Sequence, residues 1–156
     1  MTIQRAGISD IPAINRLLRQ VLTVHHEGRP DLFKPDCKKY TDEELCQLLE
    51  DENRPVFGAW LDGMFVGYAF CILQEHKNDN VLTDIRTLYI DDLCVEETMR
   101  GQHVGTALYE YVLDYARSIG CYNVTLNVWT CNPSAMRFYE RLGMQPQKIG
   151  METVLM

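Results

Sequence analysis

Leu93-Cys94-Val95-Glu96-Glu97-Thr98-Met99-Arg100-Gly101-Gln102-His103-Val104-Gly105-Thr106-Ala107-Leu108 is the stretch whose reading decides the fold. An apolar strand pattern, Thr87–Val95, runs into a glycine-bearing turn, and the turn opens a long helix, Val104–Ile119. Val104, Leu108, Val112, Tyr115 and Ile119 share one face of that helix, and Gly120 stands where a left-handed C-terminal cap is expected. The first amides of a helix have no partner inside it and carry partial positive charge. The loop Arg100–Thr106 is therefore a candidate pyrophosphate cradle. Gly101 and Gly105 are expected to let a ligand approach the backbone with no Cβ in the way. The spacing is neither that of a dinucleotide fingerprint nor that of a P-loop.

Working outward, Thr2–Ala6 reads as a first strand, followed by a helix with Ile11, Ile14, Leu17, Leu18, Val21 and Leu22 at helical spacing. Gly28-Arg29-Pro30 ends that helix, and Thr41 with Glu44 forms a capping-box signature for a second one through Leu49. Pro55–Leu61 and Phe65–Leu73 flank the turn signal Asp62-Gly63 and read as a hairpin. Beyond the long helix come a strand, Asn123–Trp129, a helix, Pro133–Leu142, with proline in its first turn, and a last strand, Lys148–Leu155. The predicted order is β-α-α-β-β-β-α-β-α-β. That is a mixed α/β (α+β) architecture over residues 1–156, read as a single domain, with helices on both faces of a mixed, mostly antiparallel sheet.

Two motifs together carry a resemblance. Arg100-Gly101-Gln102-His103-Val104-Gly105 resembles the [QR]-x-x-G-x-[GA] loop of the GNAT superfamily of N-acetyltransferases, with His103 in place of the first motif glycine. Asn132-Pro133-Ser134-Ala135-Met136-Arg137-Phe138-Tyr139-Glu140-Arg141-Leu142-Gly143-Met144 is similar to that superfamily's N-x-x-A-x-x-[FL]-Y-x-x-L-G-[FM] segment. The motifs stand in the family order with a helix and a strand between them, and the element order along the whole chain is similar too. The resemblance implies acetyl-CoA as co-substrate, gripped by Arg100, Gly101, Gln102, His103, Val104, Gly105 and Thr106. His103 either donates a ring N–H to the pyrophosphate or points outward.

The resemblance also implies roles around the reacting centre. Tyr139 is the expected general acid for the departing thiolate. A phenol is still protonated at neutral pH, as that task requires. Leu93, Cys94 and Val95 would hold the pantetheine arm by their backbone, with the Val95 N–H as oxyanion donor, and Asn132 would contact pantetheine or cap the following helix. Asp91-Asp92 looks like the acidic pair before the cofactor strand in polyamine-type members, with Asp91 the first choice of base and Asp92 the second. Strand alternation places Asp91 on the face of Leu93 and Val95 and Asp92 opposite. Adjacent carboxylates near the end of a buried strand imply a cleft. The next-strand triplet Leu126-Asn127-Val128 has no glutamate; Asn127 cannot take a proton and is left with hydrogen-bonding substrate or structure. His25, His26 and Glu27 fall in the region that walls the acceptor site in the superfamily.

Composition narrows the partners. The chain of 156 residues has 46% hydrophobic and 24% charged residues, enough for one sizeable core. A net charge of −7 without a basic cluster argues against nucleic acid and is compatible with a cationic acceptor. The expected partner is a small-molecule or peptide amine. Six cysteines show no C-x-x-C pair and the four histidines no ligand spacing, so no metal is expected. No apolar run reaches the roughly 18 residues of a membrane span, and the start lacks a signal-peptide pattern, so a cytoplasmic protein with no membrane role is expected. Thirteen residues follow Gly143, where many members have two strands, which suggests a homodimer in which the partner covers a sheet edge. A coenzyme A-binding sensor without turnover is the competing functional class.

Overall fold

The computed structural model describes residues 1–156. Strands β1 (Thr2–Arg5), β2 (Val56–Leu61), β3 (Met64–Glu75), β4 (Arg86–Val95) and β5 (Asn123–Leu126) form one sheet in that spatial order. The first three pairings are antiparallel and β4–β5 is parallel, because a helix connects those two strands. Helices α1 (Ile11–Gly28) and α2 (Asp42–Glu50) cover one face. Helix α3 (Val104–Ser118) packs on the other, with Tyr139 and Leu142 of the α4 region (Pro133–Arg141) beside it. The mixed, mostly antiparallel sheet with helices on both faces agrees with the sequence reading.

Local chemistry explains the elements. Ile14, Leu17 and Leu18 recur at helical spacing and are fully buried under α1. The Thr41 hydroxyl accepts from the Glu44 amide at 3.1 Å, and the Glu44 carboxylate accepts from the Thr41 amide at 3.0 Å, closing the predicted capping box. The β2–β3 turn places Asp62 and Gly63 at φ +51° and +79°, the mirror-image geometry that matches strand twist. Gly120, at φ +78°, closes α3, with the Cys121 amide donating to the Ala116 carbonyl. All six cysteines are unbridged. No helix is long and apolar enough to cross a membrane.

Three expectations need correction. The strand predicted over Asn123–Trp129 stops at Leu126, after which the chain turns away toward α4. The strand predicted over Lys148–Leu155 is absent: residues 145–156 have no regular secondary structure and are exposed throughout, Ile149, Met151 and Leu155 included. Alternation alone does not make a strand when no backbone partner lies across from it. The third correction concerns Asp91. The β3–β4 register passes from Phe70 opposite Asp92 to Cys71 opposite Ile90, so Asp91 is the extra residue of a β-bulge. The bulge turns Asp91 from the face of Leu93 and Val95 to the α1/α2 face, where Asp92 also lies.

Candidate active site

β4 and β5 part company at the point that matters. Their pairing covers only Thr87–Ile90 against Asn123–Leu126. From Asp91 to Val95 the edge of β4 that faces β5 has no strand beside it. A cleft opens there, lined by Asp91, Asp92, Leu93, Trp129, Asn132 and Tyr139 among others. An unpaired strand edge is a row of free donors and acceptors, the surface on which an extended amide-bearing ligand docks.

The two carboxylates differ in their partners. Asp91 Oδ2 accepts from the Lys39 ammonium at 2.7 Å and from the Tyr40 hydroxyl at 2.7 Å. Asp92 has no cation bonded to it; its Oδ2 accepts from Tyr68 Oη at 2.7 Å. Tyr68 is fully buried and packs edge-on against Phe70, which also stacks on Tyr40. Burial pushes the Asp92 carboxyl up to about 6, against the opposing pull of the Tyr68 hydroxyl and the Lys39 charge. Tyr139, on α4, is held above its ordinary pKa, first by burial and then by the charge of Asp92. Its ring packs against Phe138 and Tyr109.

The loop before α3 is open at Gly101. Gly101 has φ +89° and nothing within 4 Å of the place a Cβ would occupy. Gly105 has another task than the one expected: a Cβ there would meet the Phe138 ring at 3.1 Å, so it permits α3 and α4 to pack closely. His103 is the N-cap of α3 with φ +62°, a left-handed conformation that a glycine adopts freely. Its ring is exposed and makes no capping bond. His103→Gly is expected to stabilise the fold by up to about 1 kcal/mol in denaturant titrations. It should leave the affinity for acetyl-CoA within about twofold, a small energy on the affinity scale.

This geometry coincides with a family match. Residues 19–144 match the model of the Acetyltransferase (GNAT) family. The chain belongs to that family. Among relatives of this acetyltransferase, N-alpha-acetyltransferase 30 of Schizosaccharomyces pombe is 34% identical over 118 residues, 65% of this chain and 75% of the relative. Thialysine N-epsilon-acetyltransferase of Mus musculus is 26% identical over 148 residues, 92% of this chain and 83% of the relative. The match to glucosamine 6-phosphate N-acetyltransferase of Arabidopsis thaliana, 35% identical, spans only 40% of each chain. The tetramutant of the BH1408 protein from Bacillus halodurans superposes with a TM-score of 0.95 at 29% identity, covering 99% of this chain and 100% of that one.

The remaining residues of the acetyltransferase separate into those at the cleft and those behind it. Asn132 caps α4, its Oδ1 accepting from the Ala135 amide at 3.3 Å and the Ser134 hydroxyl at 3.0 Å, while still lining the cleft. Asn127 also lines the cleft and donates to Tyr89 Oη at 3.1 Å. The Cys94 thiol faces α1 near the Leu17 carbonyl, so only its backbone is open to a ligand. His26 Nδ1–H donates to the Phe33 carbonyl at 2.7 Å and ties the loop after α1 to the helix. That bond gives His26 a structural task through Nδ1. His25 packs on Phe33, which meets Trp129 edge-on, so the loop after α1 reaches the cleft wall. Burial lowers the His25 pKa, with help from the Lys39 charge, which favours a neutral ring. Glu27 is exposed.

Sequence reasoning missed Lys39, Tyr40, Tyr68 and Trp129. Tyr68 reads as one more apolar residue of a buried strand, although a phenol in such a place needs a hydrogen-bond partner. Lys39 and Tyr40 stand just before the Thr41 cap in a stretch without periodicity, and only the folded chain brings them to β4. No group of three or more His, Cys, Asp or Glu is placed to hold a metal ion.

Proposed function

We propose that this protein transfers an acetyl group from acetyl-CoA to a primary amine by direct attack of the amine on the thioester. One observation carries the reading: a carboxyl with a raised pKa, Asp92, and a tyrosine held protonated, Tyr139, line one cleft beside the unpaired edge of β4. The residues suit the co-substrate. The free amides at the start of α3 and the open backbone at Gly101 fit a diphosphate, and the β4 edge from Leu93 to Val95 fits a chain of amides. When bound, acetyl-CoA supplies an activated carbonyl and a thiolate leaving group. Asp92 takes the proton from the incoming ammonium, directly or through water. The Val95 N–H is the donor for the oxyanion. Tyr139 donates its proton to the departing sulfur. Asp91, paired with Lys39 and Tyr40 in the free chain, holds the acceptor ammonium once Lys39 has given way, and leaves proton transfer to Asp92.

The names of two relatives support a primary amine as acceptor, one being an N-alpha- and the other an N-epsilon-acetyltransferase. A screen of amines and peptides with acetyl-CoA, read by free thiol, tests this reading. Thiol release that depends on an amine is expected. Cofactor binding with no thiol from any acceptor would instead mark a sensor.

We propose also that the chain works as a homodimer in which residues 145–156 of one copy lie along the free edge of β5 in the other. β5 ends the sheet with one side unpaired, and the exposed apolar tail has the alternation of a strand without a partner. Arg29, which also pairs with Asp31, holds Glu152 of the tail by an ion pair. Light scattering is expected to give twice the mass of one chain, falling to one chain when residues 147–156 are deleted. A monomeric mass for the intact chain would remove the proposal.

A further inference from the structure

We propose that Lys39 is itself an acetyl acceptor: its ammonium occupies the amine subsite at Asp91, and without a competing amine the enzyme acetylates it in cis. The inference rests on the catalytic reading above and extends it to a residue of the enzyme's own chain.

The acceptor subsite is a carboxylate pair meant to hold an ammonium, and the chain already places one there. Lys39 Nζ is 2.7 Å from Asp91 Oδ2, and Asp91 lines the same cleft as Asp92 and Tyr139. Asp92 is the next residue along β4 from the one that holds the Lys39 ammonium. The Lys39 side chain is 39% exposed whereas the Asp91 side chain is 16% exposed. The lysine is the exposed end of the pair, so its ammonium is the partner that can leave for water. Lys39 also sits in the segment between α1 and α2, outside both helices, on a four-carbon stem with free rotation. The other lysines are differently placed. Lys38 pairs with Asp42 on α2 and Lys77 with Glu75 at the end of β3, whereas Lys39 is paired with a carboxylate that lines the cleft.

The step balances with acetyl-CoA as the only co-reactant. Nζ gives up a proton to Asp92. The Nζ lone pair forms the C–N bond to the acetyl carbonyl carbon, and the C–S bond breaks with its electron pair leaving on sulfur. Tyr139 protonates that sulfur and regains its proton from Asp92 through solvent, and the second proton of the attacking nitrogen is released to water as the amide forms. The products are an N-ε-acetyl lysine at position 39 and coenzyme A with a free thiol. Acetylation removes the charge, breaks the ion pair to Asp91 and opens the subsite to an external ammonium.

The full chain is incubated with acetyl-CoA and no amine, then analysed by intact mass and peptide mapping. The expected result is one acetyl group, at Lys39, gained at a rate per molecule independent of protein concentration. Lys39→Arg should keep the ion pair and abolish the labelling, and Tyr139→Phe should slow it greatly. Turnover of an external amine with Lys39 left unmodified would overturn this inference alone; neither reaction would overturn the catalytic reading with it. Labelling spread over Lys34, Lys38, Lys77 and Lys148 at equal rates, and as fast in Tyr139→Phe, would mark simple chemical acetylation and overturn it too. A second measurement needs no acetyl-CoA: calorimetry with butylamine should show several-fold tighter binding to Lys39→Gln than to the unaltered chain. Equal affinity would show that Lys39 does not occupy the amine subsite.

Discussion

Asp92→Asn lowers kcat/KM by at least about a hundredfold at pH 8, the usual cost of losing a general base. It also removes the acid limb of the pH profile. In the unaltered enzyme that limb should rise through a pKa of about 6, the value to which burial pushes this carboxyl. The amide keeps the shape of the side chain and can still bond to the Tyr68 hydroxyl, so the cleft survives the change. Stability moves in the opposite direction. A carboxyl whose folded pKa lies above its unfolded one contributes stability fully at pH below the unfolded value, near 4, and loses it as pH rises through about 6. Above pH 7 the unaltered chain therefore bears a buried charge that Asp92→Asn lacks. The variant should melt at a higher temperature there and show a flatter dependence of stability on pH between 4 and 7. A profile that keeps its limb near 6 in the variant would move the base elsewhere, and Asp91→Asn would then be the variant that loses it.

Tyr139→Phe lowers kcat by roughly a hundredfold or more, since a positioned acid is worth about that much or above, while KM for acetyl-CoA changes little. The hydroxyl has no hydrogen-bond partner within the protein, and the ring stays packed on Phe138 and Tyr109. Melting temperature should therefore stay close to that of the unaltered chain, separating a chemical defect from a folding one. Burial and the nearby Asp92 charge hold the phenol above its usual range. The alkaline fall in kcat should accordingly begin later than free tyrosine would impose. An unchanged kcat in Tyr139→Phe would leave the sulfur to be protonated by solvent.

How much of this was legible depends on the range of the interaction. The strand, turn and helix around Arg100–Thr106 were readable because helix spacing and glycine punctuation are local. The cap at Thr41 and Glu44 was readable for the same reason. Tyr139 and Asn132 were found through a motif that is contiguous along one helix and its cap. The choice between Asp91 and Asp92 was not legible. It turns on a bulge whose extra residue is defined only by the partner strand, and on Lys39 and Tyr40, which are about fifty residues away. Gly105 was read as a ligand-facing glycine because its neighbour across the helix pair, Phe138, lies far off in sequence. His103 was visible as a departure, but its left-handed backbone was not. The tail misled for a related reason: Lys148–Leu155 alternates as a strand does, and pairing depends on something outside the segment.

The short seam between β4 and β5 is the place where a bound acyl donor would add most to the hold of the fold. Four residue pairs hold the two strands together, and beyond them water must satisfy the strand edge until a guest supplies its own amides. A ligand that binds only the folded chain adds to its stability in proportion to the logarithm of its concentration. Molecules deprived of the donor should therefore loosen first at this seam, exchange their amide hydrogens there soonest and be the first to meet a protease.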